Sequence, residues 1–184
     1  MHDVDQLLVD IRSSDRQVQG RAYEALIAAT DVPVEWAYEV WDDLVTDLGH
    51  QNNRVRSISA QVLCNLAKSD PQERIIGDFP RLLELTKDER FVTARHCLQS
   101  LWKIGVAGPA QREVYRVGME GRFADCRSEK NWSLIRSDIV ESLGQVYRHT
   151  DDELVRTTAE GLIASEDDEK YRAKYAKVWR RWLP

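Results

Sequence analysis

The side chains able to do chemistry are spread thinly along this chain, and where they recur their types suit recognition rather than reaction. Four histidines, His2, His50, His96 and His149, stand too far apart for an HExxH pair or another metal-ligand spacing. Three cysteines, Cys64, Cys97 and Cys126, are odd in number and form no CxxC pair, which argues against a disulfide framework or a thiolate zinc site. Cys64 and Cys97 read as buried thiols on helices. No GxGxxG, GxxxxGK(S/T) or GxSxG motif occurs, so neither a cofactor nor a metal is expected. The carboxylates of Asp42, Asp43 and Asp47, and of the run from Glu166 to Glu169, suit a solvated helix face and a turn better than an acid/base pair. What does recur is a polar set able to make hydrogen bonds, ion pairs and one aromatic contact. It comprises His96, Gln99, Trp102, Lys103, Asp138, Glu141, Gln145, Lys174, Lys177 and Arg181.

The elements that must position these residues are legible as a repeat. From Val55 to Ala67, apolar or small side chains fall at offsets 0, 3, 5, 7, 8 and 11 from Val55, and an arginine stands at offset 1. Offsets 0, 4, 7, 8 and 11 form one stripe of a helix with 3.6 residues per turn, so the segment is an amphipathic helix pressed into a core. The same template fits from Val18, Thr93, Ile135 and Tyr171, with Thr93 the loosest start. A second marker keeps step with it, because Pro33, Pro71 and Pro109 are evenly spaced and Asp151 takes the fourth place.

Between the template helices the sequence predicts partner helices. A short one around Val4 to Arg12 acts as a cap, and another runs from Val34 to Leu48 between Pro33 and Gly49. The helix within Glu73 to Thr86 carries Gly77 and Pro80 and should kink or split. A helix from Pro109 to about Phe123 is interrupted by Gly118 and Gly121, and Lys170 to Pro184 forms a terminal cap. The whole chain, 1–184, is expected to be one all-α domain with repeats near 3–30, 33–68, 71–106, 109–148 and 151–184.

Composition agrees with such a folded unit: 184 residues, 42 % of them apolar, with 9 Gly and 5 Pro. A net charge of -5 lacks the basic footprint of a nucleic-acid binder, so nucleic acid is not the expected partner. The start shows no charged region followed by an apolar one, and no window approaches ~18 uninterrupted apolar residues, so a cytoplasmic protein without a membrane partner is expected.

A helix pair recurring about every 38 residues, with Val55-Arg56, Ile135-Arg136 and Tyr171-Arg172 opening second helices backed by a small and apolar ladder, resembles the HEAT repeat family. The resemblance implies a right-handed α-α superhelix of about five helix pairs, with the second helices lining a concave face. It also implies that Arg56, Arg136 and Arg172 bond to neighbouring turns and are structural. Gln19 and Ala94 depart from the arginine position in the first and third copies.

Stacked copies would align offsets 3, 6 and 10 across that face. In chain order these are Arg21, Glu24 and Ala28; Ile58, Gln61 and Asn65; His96, Gln99 and Lys103; Asp138, Glu141 and Gln145; Lys174, Lys177 and Arg181. The plain reading is salt bridges between neighbouring helices, each contributing a fraction of a kcal/mol when exposed. The sharper one is a groove for a peptide or protein segment of mixed charge, with Trp102 at offset 9 as the anchor. The leading functional expectation is a non-catalytic protein–protein interaction scaffold. The alternative comes from the resemblance: HEAT-like folds include bacterial alkylpurine DNA glycosylases, and here Trp36, Trp41, Asp42, Asp43 and Asp47 are the cluster that would serve such a role. A bilin lyase-type protein rests on fold analogy alone.

Overall fold

Short polar side chains set where the helices of this chain begin. In the structure, a computed structural model that describes residues 4–183, Asp15, Asn52, Asp152 and Asp168 each accept a backbone amide from the first turn of the helix that follows. All regular elements among the described residues are helical, and none is long and apolar enough to cross a membrane. The helices group into two compact units, Met1–Ser100 and Leu101–Pro184, with the division inside the third expected repeat.

The first unit contains α1 (Val4–Ile11), α2 (Arg16–Ala29), α3 (Ala37–Asp47), α4 (Asn53–Leu66), α5 (Arg74–Leu85) and α6 (Phe91–Ser100). They pack as successive hairpins, α1 on α2, α3 on α4 and α5 on α6, while α4 lies against both α2 and α6. The template stripe is the reason. Val55, Val62, Leu63 and Leu66 have no exposed surface, and burial of each contributes roughly 1.5–3 kcal/mol. Thr93, the loosest expected start, is itself buried, and its hydroxyl donates to the Asn53 carbonyl at 3.2 Å, so the third copy keeps its register.

Two expectations shift here. The helix after Pro33 begins only at Ala37, with Trp36 as its cap. α5 runs unbroken through Pro80, because Pro80 and Gly77 both lie on its exposed side, where water can satisfy the carbonyl that proline leaves free.

The second unit contains α7 (Trp102–Ala107), α8 (Pro109–Asp125), α9 (Trp132–Thr150), α10 (Glu153–Ala164) and α11 (Glu169–Trp179). α9 is its centre, in contact with α7, α8, α10 and α11, and it buries Ile135, Ile139, Leu143 and Val146. α8 passes uninterrupted through Gly118 and Gly121, contrary to expectation, since neither glycine sits near a turn. Asp151 does not open α10; it closes α9 in the left-handed region at φ 50, and Asp152 supplies the cap.

The arginines at offset 1 reach neighbouring turns in both units. Arg56 Nη1 donates to the His50 and Gln51 carbonyls while its other nitrogens grip Asp88 at 2.6 and 2.9 Å. Arg136 donates to the Phe123 carbonyl and to Glu166. Arg172 donates to the Glu166 carbonyl at 2.9 Å.

A candidate polar groove in the first unit

The first turns of α2, α4 and α6 open onto a common groove of about 470 Å³. It exists because each helix is preceded by a short polar turn, which keeps bulky apolar side chains out of that end of the packing. Arg16 and Tyr23 come from α2, Arg54, Ser57, Ile58 and Gln61 from α4, and Val92 and His96 from α6. Hydrogen bonds between residues about one repeat apart knit the walls. The Tyr23 hydroxyl donates to Gln61 Oε1 at 2.8 Å, and Gln61 Nε2 in turn donates to the Ser57 carbonyl at 3.0 Å. Ser57 Oγ lies 3.3 Å from His96 Nδ1. Burial, with a smaller contribution from Glu24, pushes the Tyr23 phenol above the usual tyrosine range, so it stays a hydrogen-bond donor.

The groove's electrostatics are one-sided. No Asp or Glu lines it, and among the described residues neither Arg16 nor Arg54 has a carboxylate within ion-pairing distance. Arg54 reaches toward α2, where a β-carbon on Gly20 would lie 3.4 Å from its Nη2. These groups can hold a charged or hydrogen-bonding ligand.

Of the expected recognition ladder, this groove gathers Ile58, Gln61 and His96. Arg21, Glu24, Ala28 and Gln99 are exposed outside its wall. Asn65 is buried rather than outward, because its amide donates to Thr30 Oγ1 at 3.0 Å, and Ile58 is only 3 % exposed. Arg16, Arg54, Tyr23 and Ser57 were missed. They sit at offsets -2, -1, 5 and 2 of their copies, and the signal that marks three of them is proximity to the polar turn rather than a place on the outward stripe.

The second unit distributes the remaining expected residues differently. Asp138 is 8 % exposed and is a buried, engaged carboxylate, not an outward rung, because α9 is covered on several sides. Glu141 pairs with Arg181, so the salt-bridge reading describes that rung. Trp102 is half-buried and stacks on His149 with ring centroids 5.1 Å apart, and Lys103 Nζ lies 6.0 Å from its ring centroid. Gln145 is half-buried, its carbonyl lying 2.8 Å from His149 Nδ1, and Lys174 and Lys177 are exposed. A second hollow of about 390 Å³, near Tyr147, Arg148 and Trp182, includes only Arg181 of the expected set.

The cluster considered for nucleotide chemistry is consumed by structural contacts. Trp41 is fully buried and its Nε1 donates to Asp78 at 2.8 Å, while Trp36 is half-buried. Arg12 engages both Asp43 and Asp47, and Arg74 engages Asp42. His50, His96 and His149 belong to no group of metal-ligating side chains among the described residues, and His2 lies outside them.

No family model matches the sequence, and no curated protein is similar to it. The solved structures that it resembles include two engineered proteins. One crystal structure of an engineered protein matches over 97 % of this chain and 78 % of its own, with a TM-score of 0.59 at 17 % identity. A second engineered protein matches over 99 % of both chains, with a TM-score of 0.55 at 15 % identity. At those identities the likeness is one of fold.

Proposed function

We propose that this chain is a non-catalytic interaction scaffold, a right-handed α-solenoid of HEAT-like helix pairs that receives a segment of another protein. The observation that carries the reading is the polar groove itself, whose wall takes equivalent first turns from three template helices, α2, α4 and α6. Support for repeat stacking comes from side-chain bonds between residues 38 to 40 apart, among them Tyr23 with Gln61, Ser57 with His96 and Asn53 with Thr93. Such spacing is what a solenoid of nearest-neighbour contacts produces. Every group on the wall can bind by charge, hydrogen bond or modest apolar contact.

The test is site-specific photo-crosslinking in the cells that make the protein. A photoreactive side chain at Gln61 or Val92 should yield a discrete heterologous adduct, and the same group at Leu154, exposed on α10, should not. Equal labelling from both places, or none from the groove, would remove the reading.

A further inference from the structure

We infer that the occupant of this groove is an acidic peptide segment, held by carboxylates set against Arg16 and Arg54. The inference rests on the scaffold reading and names the chemistry of its partner. Three observations carry it. The chain has an overall charge of -5, yet the groove wall holds two arginines and no acidic side chain. Three other part-buried arginines of this unit are neutralised, Arg12 by Asp43 and Asp47, Arg56 by Asp88 and Arg74 by Asp42, whereas the part-buried Arg54 is not. Among the described residues Arg16 and Arg54 have no such partner, and they stand in one concavity.

The geometry favours a carboxylate. A guanidinium presents a planar fork that matches a carboxylate in two parallel hydrogen bonds, and Arg54 reaches toward Gly20 of α2 in the groove. Beside it, Tyr23, Gln61, Ser57 and His96 provide hydrogen-bonding edges suited to a peptide backbone, and Ile58 and Val92 provide apolar contact for an intervening side chain. Val92 is 63 % exposed and so is open to that contact. A nucleic acid is the poorer match, since phosphate-backbone binding draws on many cations and this net-acidic chain brings two to the groove.

The experiment is fluorescence anisotropy on the full chain at low salt with three labelled probes. One is an octapeptide of Asp and Glu with two interspersed Val, the second is the same peptide with Asn and Gln in their place, and the third is an oligothymidylate of equal length. The acidic peptide should bind, the neutral one should bind roughly tenfold more weakly, and Arg16→Glu/Arg54→Glu should abolish the difference. Arg16→Gln/Arg54→Gln should weaken the acidic peptide roughly tenfold with unchanged helicity, and Arg54→Lys should retain part of its binding. Equal binding of the two peptides, insensitivity to the arginine substitutions, tighter binding of the oligothymidylate, or no binding of any probe would overturn the acidic-segment assignment. Persisting crosslinks from Gln61 in any of those cases would leave the scaffold reading standing, whereas their absence removes the scaffold reading itself.

Discussion

Removing the Glu166 carboxylate should cost this protein more stability than any other single charge deletion in its second unit. The Glu166 side chain has no exposed surface, and Arg136, whose side chain is 9 % exposed, donates to it at 2.7 Å. Arg127, half in solvent, adds a contact at 3.1 Å, and the Asp168 amide donates to Glu166 Oε1 at 3.2 Å. Glu166→Ala strands the Arg136 guanidinium between the Phe123 ring, 4.2 Å away, and a protein interior with no counter-charge. Leaving one partner of a buried pair uncompensated costs roughly 3–5 kcal/mol. With a urea slope near 2 kcal/mol per molar for a chain of this size, the unfolding midpoint followed by circular dichroism should fall by about 1.5–2.5 M. Arg136→Met/Glu166→Leu should lose only about 1–2 kcal/mol, because the apolar pair abolishes the stranded charge and forfeits mainly the bonds to Phe123 and Asp168. Burial works against ionisation of Glu166, but the Asp168 amide, Arg136 and Arg127 outweigh it and hold the carboxyl below the usual range. The depressed folded value means the contribution is complete above the unfolded carboxyl pKa of about 4.3 and declines as pH falls below it. A loss under ~1 kcal/mol for Glu166→Ala, or a double variant worse than either single one, would refute the reasoning.

Opposite signs are expected at two helical glycines: Gly77→Ala, with nothing near the new methyl, should stabilise by up to about 1 kcal/mol, and Gly144→Ala should destabilise by roughly 1–3 kcal/mol. Its β-carbon would overlap Trp182 and lie 2.6 Å from Nε1, so a tryptophan emission shift should accompany the loss. Of six tyrosines, Tyr115 and Tyr175 are fully buried, and burial above all raises both phenols beyond the usual tyrosine range. Alkaline difference spectra should show those two ionising only with unfolding, and the stability they contribute is lost as pH rises past about 10. Cys64, Cys97 and Cys126 are all buried, and burial raises the Cys97 and Cys126 thiols, so a thiol reagent should label none of them until the chain unfolds; a rapidly labelled equivalent in the native protein would contradict the packing.

The parts of this molecule that were readable in advance are those fixed by periodic burial. Val55, Leu63, Leu143 and Trp179 fall on the template stripe and are at most 4 % exposed. The copies fray where no neighbour follows: Ala29 is exposed and Trp182 half-buried at offset 11 of the first and last copies. Helix ends were less legible because they depend on individual caps, as with Asp152 taking the role that the carboxylate run from Asp151 to Glu153 left open. The polar groove was half visible. Outward-stripe logic finds Gln61 and His96, but it assumes that everything beyond the stripe faces water, and Asp138 and Asn65 show how a helix packed on several sides breaks that assumption.

The arginines show the same division between what a period can reveal and what only contacts can. At offset 1, Arg56 and Arg136 are tied to turn carbonyls and carboxylates at once, so their charge is spent on holding one hairpin to the next. Arg54 is two residues before Arg56 on the same helix, a rotation of about 200° that carries its guanidinium away from Asp88 and toward Gly20 at the groove. A helix can therefore stabilise its stack with one arginine and offer the other to a ligand, with no carboxylate able to serve both. On the proposed reading, recognition costs the fold little: Arg16 and Arg54 can be exchanged for neutral residues without opening a buried pair. That separability is why the peptide-binding test reads the groove rather than the stability of the helices that build it.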